Sequence, residues 1–420
     1  MSKRLFTILS VLVLASVLLV ACGPKAEPTT APTEAPATEA PATEAPGAAY
    51  ECTDAIGCAV IEPGQTIKIG MGAPMTGDNA AFGQDISQGA KIALQDAGDF
   101  EGFTFELVAE DDGGTPEGGA AVANKLVADP TVVAIAGHIF SGATAAAMPI
   151  YEAAGLPMMS PSATNPTLTQ SGSTVFNRAV FTDAAQGKFA AAYLYNNLNV
   201  RKLAIVHDGQ AYGQGLAEVV QTEITALGAE VVAFQAITPG EADYSAVLAD
   251  IASKSPEALF YGGYTAEAVV IVNQMKQSGL DGVIFFGDDG TFGQDFLDRT
   301  GENGYGSYST SLIPPATDAK AAYDAAYLAA YGQPAGKLSP YSWTAYDSAA
   351  VLAFAIKSVA VLGSDGKLYI PRAALVAAVR GTKDYQGLSG TLTCDATGEC
   401  SASGPVFNID QDGVWVEAPK

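Results

Sequence analysis

Val132-Val133-Ala134-Ile135-Ala136-Gly137-His138-Ile139-Phe140-Ser141-Gly142-Ala143-Thr144 is the stretch on which the fold turns. Its first five residues carry no polar side chain, as suits a strand covered on both faces. Glycine and hydroxyl residues then mark a loop, and a helix is predicted from about Ala143. Upstream, Ile67-Lys68-Ile69-Gly70-Met71 alternates, and Ile86, Ala90, Ala93 and Leu94 share one helix face. Phe103–Leu107 alternates again, and Ala120, Ala123 and Val127 form another helical stripe. Downstream, a short strand is predicted at Leu156–Met159. Past Asp183 the pattern restarts, with apolar runs at Leu203–Val206, Val231–Phe234, Ala258–Tyr261 and Val283–Phe286 separated by helix-length stretches. Asp243 reads as the N-cap of the helix that buries Val247 and Ile251. Strands and helices alternating at this spacing imply βαβ units. Two successive sets predict an α/β protein of two doubly wound parallel-sheet lobes. Helices at about 316–331, 343–361 and 371–380 follow. A hairpin built on Val406–Ile409 and Val414–Val416 is predicted to close the chain.

The N-terminal residues point to export. Lys3 and Arg4 precede an apolar run, Leu5–Val20, that ends in Leu19-Val20-Ala21-Cys22. The basic start, apolar core and small residues before a cut predict a secretory signal over 1–21. Small residues directly before a cysteine resemble the bacterial lipobox, so Cys22 is the expected lipidation site. The alternative is an ordinary signal with a coincidental cysteine. From Pro24 to Ala49 the phrase Ala-Pro-Ala-Thr-Glu-Ala-Pro repeats without an aromatic or branched aliphatic residue. Such a stretch has nothing to bury. In extended polyproline geometry it reaches at most roughly 80 Å. It reads as a tether, or else as a glycosylated stalk.

Without residues 1–21 the chain keeps 45 acidic and 19 basic side chains, a formal charge near −26. That argues against nucleic acid and anionic lipid as partners, since both require basic surface. The membrane is expected to be met through the N-terminal lipid alone. Four further cysteines fall as Cys52/Cys58 and Cys394/Cys400. In an oxidising compartment such pairs read as two local disulfides. A four-cysteine metal site would need the pairs to converge, and neither has the spacing usual for zinc. No metal and no cofactor is expected.

In open parallel sheets, ligands bind beyond the carboxyl ends of the strands. The loops there in the first half are Gly137–Thr144 and Ser160-Pro161-Ser162-Ala163-Thr164-Asn165-Pro166. Both offer hydroxyls and backbone N–H groups suited to an anion such as a carboxylate. Alternatively Ser141 and Thr164 merely cap helices, because a cap and an anion site share one geometry. The corresponding loops of the second half are His207–Gly213, Gly262-Gly263-Tyr264 and Gly287-Asp288-Asp289-Gly290. An acid there can neutralise an ammonium while tyrosine faces flank an apolar or cationic group. Turn chemistry beside glycine is the competing reading of Asp288 and Asp289.

Gly137–Ser141, Ser160–Thr164, Ile205–Asp208 with Tyr212-Gly213, Tyr261–Tyr264, and Trp343-Thr344-Ala345-Tyr346 together resemble the leucine/isoleucine/valine-binding proteins of ABC importers, which have the type I periplasmic-binding fold. The resemblance implies roles. Ser141 and Thr164 would hold a ligand α-carboxylate, Ser162 would offer its carbonyl to the α-ammonium, and Asp289 would be the counter-ion. Branched-chain members usually carry glutamate at that last position. Tyr212 and Tyr264 would be aromatic walls, and Phe82 would line the side-chain pocket. Some members join two further positions by a disulfide; here those positions hold Gly114 and Phe140.

The expected organisation is a signal peptide at 1–21 and a lipidated cysteine with tether at 22–65. The first lobe is expected at 66–182 plus 315–393, and the second at 183–314 plus 394–420. The expected function is that of an extracytoplasmic lipoprotein at the cell membrane. It would bind a branched-chain or other apolar amino acid by hinge closure and deliver it to an ABC importer permease. The alternatives are another small solute (an amide, another amino acid, a small aromatic acid) or a ligand-sensing role in signalling. An enzyme is not expected. No G-x-S-x-G, G-x-x-x-x-G-K-[ST] or H-E-x-x-H occurs, and His138 and His207 are the only histidines.

Overall fold

The computed structural model describes residues 50–401 and 403–419. The predicted signal peptide, Cys22 and the Pro24–Ala49 repeat lie outside the described residues. The chain enters through β1 (Cys58–Ile61) and continues as β2 (Ile67–Ala73), α1 (Ala80–Ala97), β3 (Phe105–Asp111), α2 (Pro116–Val127), β4 (Val132–Ile135), α3 (Ser141–Ala154), β5 (Met158–Ser160), the one-turn α4 (Thr167–Gln170) and β6 (Phe176–Arg178). Strands β3-β2-β4-β5-β6, in that order, form a five-stranded parallel sheet. Ile67, Ile69, Val132 and Ile135 in its central strands are 0–1 % exposed, and β4, covered on both faces, is an unbroken apolar run.

A second set follows: α5 (Asp183–Asn196), β7 (Lys202–His207), α6 (Ala211–Leu227), β8 (Glu230–Ala236), α7 (Ser245–Ser253), β9 (Ala258–Gly262), α8 (Thr265–Met275), β10 (Ile284–Phe286), α9 (Gln294–Thr300) and β11 (Tyr308–Ser311). The chain then passes through α10 (Asp318–Tyr331), α11 (Ser342–Val359), β12 (Val361–Leu362), β13 (Leu368–Pro371), α12 (Arg372–Arg380), β14 (Tyr385–Gln386) and β15 (Thr391–Leu392). It ends in β16 (Val406–Gln411) and β17 (Val414–Glu417). The second sheet runs β8-β7-β9-β10-β11-β16-β17. It is parallel as far as β11, and the terminal hairpin extends it antiparallel. Helix α11 returns to the first lobe, packing its Ala345–Ala349–Leu352 face on α1. The chain therefore passes between the two lobes after β6, after β11 and before β16.

Several elements differ from the sequence reading. Residues 50–65, assigned to the tether, are folded: β1 pairs antiparallel with β13, and Cys52 is bonded to Cys58. Residues 394–400, assigned to the second lobe, lie along the first, since Arg178 N–H donates to the Gly398 carbonyl and Cys400 N–H to that of Arg178. The Cys394–Cys400 disulfide closes this turn. Helix α7 begins at Ser245, so Asp243 is not its cap. The Asp243 carboxylate instead accepts from Ser245 N–H at 2.8 Å, two residues on, in a local turn.

Arg178, at the end of β6, is fully buried and ties these parts together. Its guanidinium donates to Glu399 through Nε at 2.8 Å and to the Ala163 and Asn165 carbonyls through Nη1 at 2.9 and 2.8 Å. Arg178→Ala is expected to destabilise the protein by about 2–5 kcal/mol, because it leaves two carbonyls without their donor. Urea denaturation checks this, and an unchanged midpoint would remove Arg178 from that role.

Candidate functional site

The carboxyl ends of both sheets face one cleft. On the first lobe, β4 leads through Gly137–Phe140 into α3, whose first residue is Ser141. The loop after β5 is stitched to this segment. Ser160 Oγ donates to the His138 carbonyl at 2.7 Å, Ser162 Oγ to the Ile139 carbonyl at 2.7 Å, and Asn165 N–H to Ser141 Oγ at 3.3 Å. Neither Ser141 nor Thr164 caps a helix: α3 and α4 have Phe140 and Pro166 as caps, without side-chain bonds. Thr164 Oγ1 is buried beside the Asp183 carboxyl, whose charged form it favours.

On the second lobe, Tyr212 sits in the first turn of α6 and Tyr264 immediately before α8. Gly213 and Gly262 bring these two segments into backbone contact. A Cβ on Gly213 would lie 2.3 Å from the Gly262 carbonyl oxygen, and one on Gly262 would lie 2.4 Å from that of Gly213. Only glycine permits this approach, and it sets the two tyrosine rings 5.2 Å apart.

Phe82, Ser141, Ser162, Tyr212, Tyr264 and Asp289 line one cavity, with Ile139, Phe140, Gly290 and Tyr341. Thr164 is not part of that lining. It lies beneath it, where its carbonyl accepts from Asp183 N–H at 3.0 Å. Asp289 is the centre of the polar side: it accepts from Tyr212 Oη at 2.6 Å, from Gln186 Nε2 and from Tyr341 Oη. Tyr341 comes from the segment entering α11, so this last bond joins the lobes. Asn165 Nδ2 joins them again, donating to the Ala211 carbonyl at 2.5 Å. Tyr341, Gln186 and Asp183 escaped the sequence reading. The one available signal was that Tyr341 stands two residues before the quoted Trp343-Thr344-Ala345-Tyr346 segment.

The acids here are crowded. Asp183, Asp288 and Asp289 are each 0–2 % exposed. Burial, then the neighbouring Asp289 charge, pushes the Asp183 and Asp288 carboxyls well above the usual range. Burial pushes Asp289 up to about 6, against the lowering effect of its Tyr212 and Gln186 donors. Burial likewise holds Asp208 at about 7. No lysine or arginine pairs with Asp289 among the described residues. The arrangement can thus hold a cation at Asp289, hydroxyl-bound anionic groups at Ser141, and an apolar body between aromatic rings.

Neither histidine lines the cavity among the described residues. His138 is buried outside the cavity lining, its ring nitrogens 2.7 Å from Asp112 Oδ2 and 2.9 Å from Tyr151 Oη. His207 ends β7, and its Nδ1 accepts from Gly209 N–H at 3.1 Å. No cluster of metal-ligating side chains is present among the described residues.

A family profile described as periplasmic binding protein matches residues 66–413. The chain belongs to that family. This binding protein is 31% identical over 344 residues to Leu/Ile/Val-binding protein homolog 1 of Brucella melitensis, covering 81% of this chain and 89% of that one. It is 37% identical over 227 residues to an amino acid binding protein of Pseudomonas aeruginosa, a match spanning 53% of this chain and 60% of that protein. Among solved structures, the leucine binding protein LivK of Thermotoga maritima superposes with a TM-score of 0.76 at 28% identity, over 84% of this chain and 98% of that one. The isoleucine complex of LivJ from Streptococcus pneumoniae gives 0.74 at 29% identity, over 84% and 98%. The fold is therefore the type I periplasmic-binding fold, and the protein is a solute-binding protein of the LivK/LivJ type rather than an enzyme.

The raised carboxyls fix a pH dependence. The native state keeps protons on Asp289 and Asp208 up to about 6 and about 7. The unfolded chain has already lost them near its ordinary value of about 3.9. The native state therefore binds more protons across this window, and stability falls as pH rises. The ligand-free protein is expected to have a higher urea midpoint at pH 5 than at pH 7.5, with a smaller difference in Asp289→Asn. Equal slopes in both proteins would exclude Asp289 as a source.

Proposed function

We propose that this protein binds an α-amino acid with a branched-chain or other apolar side chain, closes its lobes around it and presents it to an ABC importer permease. One observation carries the reading. Asp289 is a buried carboxylate that receives only neutral donors, beside two further buried acids. A site so built lacks positive charge, and the α-ammonium of an amino acid supplies it. Ser141 stands on the opposing lobe with a hydroxyl suited to the α-carboxylate. The family resemblance assigns Thr164 to the same carboxylate, from a buried position outside the cavity lining. Phe82, Tyr212 and Tyr264 bring apolar ring faces to the site that can flank the side chain.

Asp289 is one methylene shorter than the glutamate that the family resemblance implies. Tyr212 and Gln186 hold it in place, and a bridging water can make up the reach. The Brucella, Thermotoga and Streptococcus relatives named for leucine, isoleucine and valine support the apolar choice. Lipid anchoring through Cys22 rests on the sequence Leu19-Val20-Ala21-Cys22. Treatment with a lipoprotein signal-peptidase inhibitor should leave the precursor uncut if that assignment holds.

Native mass spectrometry of the purified protein, followed by calorimetry with leucine, isoleucine, valine and alanine, tests the reading directly. Asp289→Asn is expected to weaken binding by roughly 100-fold or more, since it leaves the ammonium without a counter-charge. Wild-type affinity is expected to drop as pH falls through about 6, where Asp289 takes up its proton. Unaltered affinity in the variant would remove Asp289 from the ligand site.

A further inference from the structure

We propose that Phe140 limits the bulk of the ligand side chain, favouring small aliphatic residues over aromatic ones. The inference rests on the amino-acid reading above and narrows it. Phe140 stands immediately before Ser141, with its ring inside the cavity. It is held on both of its own lobe's sides. Behind it, Gly114 has φ +70°, and a Cβ there would lie 2.7 Å from Phe140 Cδ2. The ring therefore rests directly on a backbone that has no side chain to yield. Beside it, the Phe82 ring meets it edge-on at 5.7 Å and 74°. Across the cleft it stacks on Tyr264, with centroids 4.0 Å apart and planes 14° from parallel.

These contacts do not share one fate when the lobes part. Tyr264, Tyr212 and Asp289 move with the second lobe, whereas Phe82, Gly114 and Phe140 belong to the first. Opening creates space between Phe140 and Tyr264 but does not release Phe140 from Gly114 and Phe82. With the lobes closed, the room between the rings is ≈10 Å³, about that of one water. A ligand must regain its side-chain volume by holding the lobes slightly apart. A bulky ring would do so at the expense of the Asn165–Ala211 contact that joins them away from the ammonium site.

The test is calorimetry of wild type, Phe140→Leu and Phe140→Ala with L-valine and L-phenylalanine, with thermal melts to verify folding. Wild type is expected to favour valine, and the preference should move toward phenylalanine by about 10–100-fold in the variants. The leucine variant guards against loss of fold in the alanine one. A selectivity ratio moving by less than about 3-fold, against the 10–200-fold that one methylene commonly commands, overturns the inference while leaving amino-acid binding intact. So does a wild type that binds phenylalanine as tightly as valine. Folded proteins that bind neither ligand, nor any other amino acid, overturn the amino-acid reading itself.

Discussion

A carboxylate buried without a cation is the constraint around which this molecule is arranged. Asp289 sits in the turn that follows β10, where burial opposes its ionisation. Asp183 and Asp288 are close enough to feel its charge. Such a group is tolerated because three neutral donors converge on it, from α5, from α6 and from the approach to α11. The third of these belongs to the other lobe. The hydrogen-bond needs of one acid therefore link the two halves of the molecule. Charge, by contrast, is left unbalanced, because an amide and two phenols carry none.

The scaffold delivers these groups through features remote from them. Arg178 fixes the carbonyls of Ala163 and Asn165, so Thr164 is held between two clamped neighbours, while Glu399 anchors the guanidinium from the returning chain. On the facing lobe the Gly213–Gly262 approach places two tyrosines side by side. Parallel sheets make this possible, since their loops into helices all emerge at one end and can be varied without disturbing the strands. A hydroxyl-bearing surface on one lobe and an acid with phenols on the other follow from loop composition alone.

Much of this was legible in the sequence, for a physical reason. Strands buried on both faces must be apolar throughout, so Val132–Ile135 and Ala258–Gly262 announce themselves. Strand β6 does not, because it carries Asn177 and Arg178, which look like loop residues until their buried partners are known. Strand β11, Tyr308-Ser309-Thr310-Ser311, hides likewise: its hydroxyls are spent on the Asp288 carbonyl and on Gln186 and Asn408. The segment 50–65 read as more tether because a two-cysteine turn and a four-residue strand have no periodicity to display. In the site, loops at strand ends were readable from position. Tyr341 and Gln186 were not, since each reaches Asp289 from a distant part of the chain and belongs to no motif.

On the proposed reading, binding and closure become one event. A tyrosine hydroxyl reaching Asp289 from the opposite lobe satisfies a lone pair but leaves the charge, with its neighbouring acids, uncompensated. An ammonium in the same place satisfies both. A ligand shifts an equilibrium between open and closed forms only by the difference in its affinity for the two. Here that difference resides in a cation that only the second lobe can neutralise and an anion that the first lobe is suited to hold. A zwitterion touches both and draws the lobes together. A solute lacking either charge engages one lobe and gains little from the approach of the other. Selectivity for charge is thus a property of closure, and selectivity for bulk is left to the rings that the closed lobes enclose.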